Sequence, residues 1–328
     1  MRKKSFKAES KRLLDLMINS IYTNKDIFLR EIIANASDAI DKLHYISLTN
    51  DAVREQCGDF KIEIKLDKEN RTITVSDNGV GMNEKELEEN LGTIAKSGSL
   101  AFKTEMAEKQ DATTDIIGQF GVGFYSAFMV ADKVTVITKK YDSAALCWTS
   151  EGCDGYTIEE CEKESFGTDV IMHIKDDTDD EKYSDYLEQY KLSSLVKQYS
   201  DYIRHPIMME MERTENTAKD GEEPKYEKVL STEILNSQIP IWQRSKSEVS
   251  DEECNQYYKD KFMDFADPLL SIRVSAEGIV SYKAMLFVPS KQPYGYFTKD
   301  FEKGLQLYSS GVLIMDKCEQ LLPDHFRL

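Results

Sequence analysis

The sequence of 328 residues predicts an α/β protein with a larger first region of helices and strands and a smaller α/β region after it. Two apolar patterns with helical spacing come first, and alternating runs typical of half-buried strands follow them. A polar, turn-rich stretch near residue 220 then separates a second set of strand patterns. At about 150 residues per domain, the length agrees with two domains.

The charge balance limits the possible partners. Asp and Glu number 59 against 42 Lys and Arg, and the formal net charge is -17. Binding to nucleic acid or to anionic lipid needs a basic patch, so we expect neither nucleic acid nor membrane as a partner. No apolar run approaches the roughly 18 residues that span a bilayer, and no apolar stretch follows the basic N-terminus as in a secretory signal.

Cysteine and histidine spacing argues against two further classes. The six cysteines are scattered without a C-x-x-C pair, and the four histidines cluster neither with them nor with each other. Disulfide frameworks and zinc sites are therefore poor interpretations, and free thiols in a reducing cytoplasm fit the pattern best.

Two amphipathic helices are predicted near the start of the chain. The first spans about 10–22, and the second starts near Asn24, a favourable N-cap, with Asp26 in its first turn. The apolar stripe of the second helix comprises Leu29, Ile33, Ala36, Ile40 and Leu43. The opposite face, at helical steps that place its members side by side, carries Glu31, Asn35, Asp38 and Lys42. In an isolated helix this would most simply be a solvated polar face.

Strand patterns follow the second helix. Residues 62–66 and 73–75 alternate between apolar and polar types and predict a hairpin. A helix is expected to begin at Asn83, because Glu86 three residues on completes a capping box. Further strands are predicted at 134–138 and 169–174 and, in the second region, at 272–274, 283–288 and 312–315.

A polar segment marks the predicted domain boundary. Residues 215–224 are rich in charged residues and turn formers, as expected of a linker or an exposed loop. The sequence thus predicts a first domain at 1–214, a linker or loop at 215–228 and a second domain at 229–328. Because the second region is short and has no obvious terminal cap, we expect it to be the first part of a domain in a longer chain.

Two glycine-containing motifs accompany the polar helix face. Asp77 ends a predicted strand and begins DNGVGM at 77–82, so a carboxylate stands at a strand end and the glycines let the backbone approach a ligand closely. Alone, this motif is equally consistent with a simple β-turn. GQFGVGF at 118–124 precedes an apolar, helix-like run, and N–H groups at such a start can cradle phosphate. The stretch from about 92 to 123 lacks regular periodicity, which is typical of a mobile lid.

The order of these three elements is more specific than any one of them. A helix face with acidic and amide groups, a strand-end Asp-x-Gly-x-Gly and a glycine-rich helix start occur within about 100 residues. Together they describe a nucleotide site, with a carboxylate for the base, an amide for a metal ion, glycines for phosphates and a glutamate for water. The spacing fits neither the dinucleotide fingerprint nor a P-loop.

These residues closely resemble the Hsp90 chaperone family, and most of all its bacterial members, which lack a long charged linker. The resemblance rests on EIIANASDA at 31–39, DNGVGM at 77–82, LGTIAKSG at 91–98, GQFGVGF at 118–124, IPIW at 239–242 and LIMD at 313–316. It implies the two-layer α+β sandwich shared with gyrase, histidine kinases and MutL. The chain would comprise an N-terminal ATP-binding domain, with its lid at about 92–123, and part of an α/β middle domain.

The resemblance also implies roles for individual residues. Glu31 would act as the general base or orient the attacking water, and Asn35 would ligate Mg²⁺ bridging the phosphates. Asp77 would accept a hydrogen bond from the adenine amine, assisted by waters and Thr168. The other implied nucleotide contacts are Asp38, Gly81, Met82, Asn90, Lys96, Gly118, Gln119, Phe120, Gly121, Val122, Gly123 and Phe124.

Within that set the implied contacts divide by the part of the nucleotide. Met82 and Phe124 would flank the base and the sugar, and Asn90 would lie on the sugar–phosphate side. Lys96 and the backbone of 118–124 would hold the phosphates.

As a function, the resemblance implies an ATP-dependent molecular chaperone of the cytoplasm. Binding of ATP and its hydrolysis to ADP would drive lid closure and the clamping of a homodimer on unfolded or partly folded client proteins. In the family a middle-domain arginine completes the active site, and it would fall shortly after residue 328. Hydrolysis by this chain is therefore expected to be very weak or absent, with nucleotide binding near normal.

Three alternatives share parts of the pattern. DNA-processing ATPases of the gyrase and MutL type use the same nucleotide fold, but they need a basic DNA channel and this chain is acidic. A sensor histidine kinase would carry a phosphoacceptor histidine ahead of the ATP domain, and no histidine precedes Glu31. The third is a nucleotide-gated binding module without hydrolysis. The presence of Glu31 argues against it for the longer chain.

Overall fold

The computed structural model describes residues 2–4, 24–93, 117, 121–152, 155–216, 226–245, 247–278, 280–292, 296, 298 and 301–322. The chain divides into two compact units, Met1–Asn236 and Ser237–Leu328. The helix predicted at 10–22 and most of the predicted lid lie outside the described residues.

The long helix predicted near the start of the chain is α1, Ile27–Thr49, and every residue of its predicted apolar stripe is buried. Its start differs from the prediction, because Asp26 is the N-cap and its side chain bonds no N–H group of the helix. Asn24 Oδ1 instead accepts the Asp26 N–H at 2.9 Å. The Asp26 carboxylate accepts from Tyr186 Oη at 2.8 Å and from Lys191 Nζ at 3.0 Å. Tertiary partners thus replace the local cap that the sequence favoured.

The first unit is built on a sheet of nine described strands. They are β1 Arg2–Lys4, β2 Ile62–Asp67, β3 Thr72–Asp77, β4 Ala131–Lys139, β5 Leu146–Ser150, β6 Tyr156–Glu160, β7 Gly167–Ile174, β8 Ile207–Asn216 and β9 Tyr226–Ile234. The strand order is β1-β6-β5-β4-β7-β3-β2-β8-β9. Every neighbouring pair is antiparallel except β2 and β8, which run parallel. The predicted hairpin and the two later strands are confirmed.

Helices pack on this sheet as the alternating patterns predicted. The further helices of the unit are α2 Asp51–Arg54, α3 Glu84–Asn90 and α4 Gln189–Tyr199, with 3₁₀ helices at Gly123–Met129 and Tyr183–Leu187. α1 contacts β2, β3 and β7, and it also contacts α4 and the first 3₁₀ helix. Alternate residues of the central strands are buried beneath it, among them Ile64, Val75 and Met172. The capping box at the start of α3 is present, with Asn83 and Glu86 bonding each other's backbone N–H groups.

The predicted linker falls inside the first unit. β8 and β9 pair antiparallel from Met208↔Ile234 to Asn216↔Tyr226, so the chain on both sides of the polar segment belongs to one sheet. The division between the units lies after Asn236, beyond the predicted linker at 215–228. Polar, turn-rich composition is common to interdomain linkers and to connections between paired strands, and composition alone does not separate the two.

The second unit contains one α-helix, two hairpins and a 3₁₀ helix at Glu319–Leu321 in its described part. The α-helix is α5 Asp251–Phe262, and the hairpins are the pair β10 Leu270–Ala276 and β11 Tyr282–Val288 and the pair β12 Leu305–Ser309 and β13 Val312–Cys318. A small core of Ile241, Val249 and Cys254 packs against Trp242 and Tyr257, among other partly buried side chains. The three strands predicted here are confirmed. Across both units, no helix among the described residues is long and apolar enough to cross a membrane.

Candidate functional site

The polar face of α1 and the end of β3 meet through one turn. The Val80 N–H donates to the Ala39 carbonyl at 3.0 Å, so the loop after β3 is bonded directly to the helix backbone. A side chain on Gly79 would collide with the same helix backbone, which explains why this position is glycine. The turn therefore brings Asp77 next to the helix face that carries Asp38.

Asp77 is the most strongly perturbed carboxyl group of this region. Its side chain is half-buried, and Oδ1 accepts the Gly79 N–H at 2.8 Å. Burial raises the pKa of Asp77 to about 7, with a further rise from nearby Asp169 and opposing effects from the Gly79 N–H and from Lys163. A partly desolvated carboxyl at a strand end, with one oxygen already bonded, is typical of a ligand-recognition group.

Two threonines support the strand end. Thr168 on β7 is the register partner of Asp77, and its hydroxyl lies 3.0 Å from the hydroxyl of Thr138 on β4. Thr138 Oγ1 also accepts the Met82 N–H at 3.0 Å. Sequence reasoning singled out Thr168 and Met82 but not Thr138, although Thr138 joins them and is fully buried. Its position on a strand gave no local signal, because its role depends on the pairing of β4 with β7.

The turn that carries Met82 is fixed by its glycine and by α3. Gly81 has a φ of 64°, and a side chain there would meet the backbone carbonyl of Lys139. Asn90, the last residue of α3, donates its Nδ2 to Met82 Sδ at 3.8 Å. The structure thus brings Asp77, Gly81, Met82, Asn90 and Thr168 together in one region.

The helix face near Glu31 is less uniform than the pattern predicted. Asp38 is almost fully buried and accepts the Ile117 N–H at 2.8 Å, whereas Asn35 one turn earlier is exposed. Glu31 is half-buried, and its Oε1 accepts from Arg30 Nε at 3.0 Å and from Arg30 Nη2 at 2.5 Å. The simple interpretation as a solvated polar face therefore fails for Asp38 and fits Asn35.

The glycine-rich segment reaches Glu31 from the other side. Gly123 begins a 3₁₀ helix and lies against the Glu31 carboxylate, so closely that a side chain would collide with it. Phe124, which follows, is buried, with its ring edge-to-face against Trp148 and Tyr125 at centroid distances of 5.6 Å each. This aromatic cluster anchors the end of the loop beside the helix.

Some predicted site residues have no described position. Gly121 and Val122 directly precede the 3₁₀ helix and are half-buried. The predicted phosphate contacts Lys96, Gly118, Gln119 and Phe120 lie outside the described residues. The described part of the site therefore comprises the strand end, the α1 face and the last four residues of the glycine motif.

Comparison with known proteins gives two family matches. The family described as Histidine kinase-, DNA gyrase B-, and HSP90-like ATPase matches residues 22–168, and the family described as Hsp90 protein matches residues 211–328. The first match covers the strand end, the α1 face and the glycine motif together.

Curated relatives match nearly the whole chain. Proteins named Chaperone protein HtpG are 54% identical in Clostridium perfringens, 57% in Bacillus licheniformis and 55% in Bacillus subtilis, each over 327 residues. These alignments cover 99% of this chain and 52% of each relative. The chain therefore spans about half the length of the curated relatives it matches.

Proposed function

The chain belongs to the Hsp90 family, and on that premise we propose that it binds ATP and ADP, with Asp77 recognising the adenine base, as the nucleotide-dependent part of a molecular chaperone. The observation that carries this proposal is the Asp77 carboxyl, half-buried at a strand end with one oxygen bonded to the Gly79 N–H.

Adenine fits this carboxyl by its hydrogen-bonding pattern. Oδ1 is occupied by the Gly79 N–H, so Oδ2 is the oxygen offered to a ligand. The exocyclic amine of adenine is a donor and suits a carboxylate oxygen, whereas guanine presents an acceptor at the same ring position. Thr168, Met82 and Gly81 surround this point, and we assign them to the base and sugar side of the nucleotide.

The phosphates belong at the other end of the site. We propose that the backbone of 121–124, together with Gly118, Gln119, Phe120 and Lys96, holds the phosphate oxygens, and that Asn90 lies on the sugar–phosphate side. We also assign Asp38 to the nucleotide contacts, because it accepts the N–H of Ile117, which directly precedes Gly118 in the sequence. Phe124 would close the base and sugar side from within the aromatic cluster.

Asn35 is the residue we propose as the protein ligand of Mg²⁺. Its exposed amide oxygen is an acceptable hard donor, and Mg²⁺ usually keeps one or two protein ligands and takes the rest from phosphates and water. Among the described residues no group of three or more His, Cys, Asp or Glu could hold a metal ion without such outside ligands. An ion held there would offset phosphate charge during hydrolysis.

Glu31 is the group we propose for ATP hydrolysis. Its carboxylate lies against Gly123, within the segment proposed for phosphates, and can orient a water or accept its proton. The two bonds from Arg30 occupy Oε1, so we assign Oε2, the oxygen nearest Gly123, to the water. As the resemblance implies, we expect this chain to hydrolyse ATP slowly. A chain of the full length of its relatives should release phosphate much faster, and equal rates would contradict that expectation.

The biological role follows from the relatives and their name. We propose that the longer protein acts on unfolded or partly folded client proteins as a homodimer in the cytoplasm. The acidic composition and the match of 211–328 to the Hsp90 family favour this role over a DNA-processing ATPase. The free state of the five described cysteines agrees with a reducing compartment.

Calorimetric titration with ADP and Mg²⁺ tests the proposal, with Asp77→Asn as the critical variant. Asparagine keeps the size but has one oxygen, and Gly79 and the adenine amine would compete for it. We expect wild-type protein to bind and Asp77→Asn to lose at least about 100-fold in affinity. Asp176→Asn makes the same chemical change at a side chain that is 96% exposed, and it should bind as wild type does. Equal binding by Asp77→Asn would overturn the proposed base recognition.

A further inference from the structure

The 3₁₀ helix Gly123–Met129 ends in a buried part of the first unit. Phe128, Met129 and the following Val130 are each at most 4% exposed. The last carbonyl groups of a helix have no N–H donor within it, and a buried carbonyl without a donor costs free energy. The end of this helix therefore requires donors from another part of the fold.

Lys175 supplies these donors. It directly follows β7, and its Nζ donates to the carbonyls of Phe128 at 2.8 Å and of Met129 at 3.2 Å. Its backbone N–H donates to the Val130 carbonyl at 3.0 Å. Burial lowers the pKa of Lys175, as expected of an ammonium group that has exchanged water for protein partners. One residue therefore satisfies three successive carbonyls at the end of the helix.

The first residue of the same helix lies beside the proposed hydrolytic group. Gly123 approaches Glu31 so closely that an added Cβ would lie 2.3 Å from Oε2. Every residue from Phe124 to Met129 is buried, so the helix is held as one closely packed piece. A displacement of the end that Lys175 holds would therefore also move Gly123 relative to the Glu31 carboxylate.

The start of α1 is fastened to the same part of the chain. Lys25, which precedes α1, donates Nζ to Tyr183 Oη at 2.8 Å, and the centroid of the Tyr183 ring lies 5.7 Å from Lys175 Nζ. Glu31 lies about one helical turn after the start of α1. The chain that follows β7 thus anchors both elements that meet at Gly123 and Glu31.

We propose that Lys175 is a positioning residue of the hydrolytic site, because it fixes Gly123 and the adjoining part of the glycine motif at a set distance from the Glu31 carboxylate. The inference rests on the proposed function and deepens it. Lys175 acts through the 3₁₀ helix, which transmits the position of its last carbonyls to its first residue. The lysine lies outside the three sequence motifs of the nucleotide site.

Other bonds of the 3₁₀ helix remain when the Lys175 ammonium is removed. Tyr125 Oη donates to the Leu91 carbonyl at 3.0 Å, and Ser126 Oγ donates to the Gly123 carbonyl at 2.6 Å. The backbone N–H of Lys175 also keeps its bond. Lys175→Met retains an unbranched apolar stem, so the variant tests the ammonium group and not the packing of the side chain.

The test measures ATP turnover and ADP affinity in Lys175→Met, in a chain of the full length of the relatives. Turnover at saturating ATP should fall at least about tenfold, because a displacement of about 1 Å between reacting groups can cost about 100-fold in rate. ADP affinity in the presence of Mg²⁺ should remain within about threefold of wild type, because the groups around Asp77 are unchanged. Lys182→Met makes the same change at an exposed lysine between β7 and α4, and it should alter neither quantity.

A second variant connects the effect to Glu31. In a Glu31→Ala background the carboxylate that faces Gly123 is already absent, so Lys175→Met should change the residual turnover by less than about twofold. A purely structural role would lower turnover by the same factor in both backgrounds. Equal factors in the two backgrounds, or unchanged turnover in Lys175→Met alone, would overturn the inference.

Hydrogen exchange without nucleotide separates this inference from the proposed function. The N–H groups of Tyr125 and Val130 donate to carbonyls three residues earlier at 3.1 and 3.2 Å. Both should exchange at least about fivefold faster in Lys175→Met, while the N–H groups of β2 and β3 keep their wild-type rates. Unchanged exchange at the helix would overturn the inference even if ATP is hydrolysed. If the wild-type longer chain releases no phosphate, the proposed hydrolysis falls, and hydrogen exchange still decides whether Lys175 holds the helix.

Discussion

The two ends of the candidate site are held in different ways. At the base end, Asp77 is half-buried and its surroundings come from three strands, through Gly79, Thr168 and Thr138. At the phosphate end, Asn35 is exposed, and the bonds to Glu31 come from its own neighbour Arg30. The strand end is fixed by the pairing of the sheet, whereas Glu31, the proposed catalytic group, is bonded within its own helix.

This difference implies that recognition and hydrolysis are separable. A group fixed by several strands keeps its geometry as long as the sheet is folded, so the proposed base binding would be preorganised. A carboxylate held by an adjacent arginine can exchange that partner for water without disturbing the sheet. Changes at the phosphate end should therefore alter rate and spare affinity, while changes at the base end should alter affinity or stability.

The largest expected effect is on turnover. Glu31→Ala should reduce phosphate release at least about 100-fold, because loss of a positioned general base typically costs that much. ADP affinity should stay within about threefold of wild type, since the base end is untouched. Steady-state phosphate release and calorimetry on a chain of the full length of the relatives measure the two quantities.

Glu188→Ala is the control for that variant, because Glu188 is exposed and its ion pair with Lys68 lies at the surface. It should change neither rate nor affinity. A loss of ADP affinity in Glu31→Ala as large as that in Asp77→Asn would contradict this prediction, because it would show that recognition and hydrolysis are not separable.

The next effect is on the stability of the base end. Gly81→Ala places a methyl group against the Lys139 carbonyl at a left-handed φ of 64°, so the turn must deform. We expect the first unit to lose about 3 kcal/mol of unfolding free energy. Gly58→Ala is the matched control, since nothing lies within 4 Å of the added carbon, and it should be near neutral. Urea unfolding measures both, and equal stabilities would mean that the turn is not rigid.

Local patterns predicted the elements of the site well. The apolar stripe of α1, the hairpin of β2 and β3 and the capping box of α3 each depend on residues within a few positions of one another. Periodicity and capping chemistry act at that range, which is why the polar face of α1 and the strand-end Asp77 could be placed from the sequence.

The sequence could not predict the contacts that join distant strands. Thr138 and Lys175 acquire their positions through the pairing of β4 with β7, and nothing local distinguishes them from neighbouring residues. The cap was predicted at Asn24, whereas the helix is capped at Asp26, because the partners of Asp26, Tyr186 and Lys191, lie far away in the sequence. The end of the first unit after Asn236 depends on the partner of β9, which the composition does not reveal.

The smallest expected effect concerns stability. Ionised Asp77, the proposed recognition group, should lower the free energy of unfolding of the first unit. The pKa of Asp77 is raised to about 7, so between about pH 4 and 7 the folded protein keeps a proton that the unfolded chain has lost. The contribution of Asp77 to wild-type stability therefore falls as the pH rises through that window. Such a rise corresponds to about 4 kcal/mol for a fully buried carboxyl, and partial exposure reduces it to about 2 kcal/mol.

Asp77→Asn stays neutral and avoids this loss. Without nucleotide it should be about 2 kcal/mol more stable than wild type at pH 8, and the difference should nearly vanish near pH 4, where Asp77 of the wild type is protonated in the folded protein and about half protonated in the unfolded chain. Urea unfolding followed through the buried Trp148, in a Trp242→Phe background, reports the first unit. Asp176→Asn should show no such pH-dependent gain. If Asp77→Asn were less stable than wild type at pH 8, the Asp77 carboxylate would stabilise the sheet. The expectation that the proposed recognition group lowers the free energy of unfolding would then be wrong.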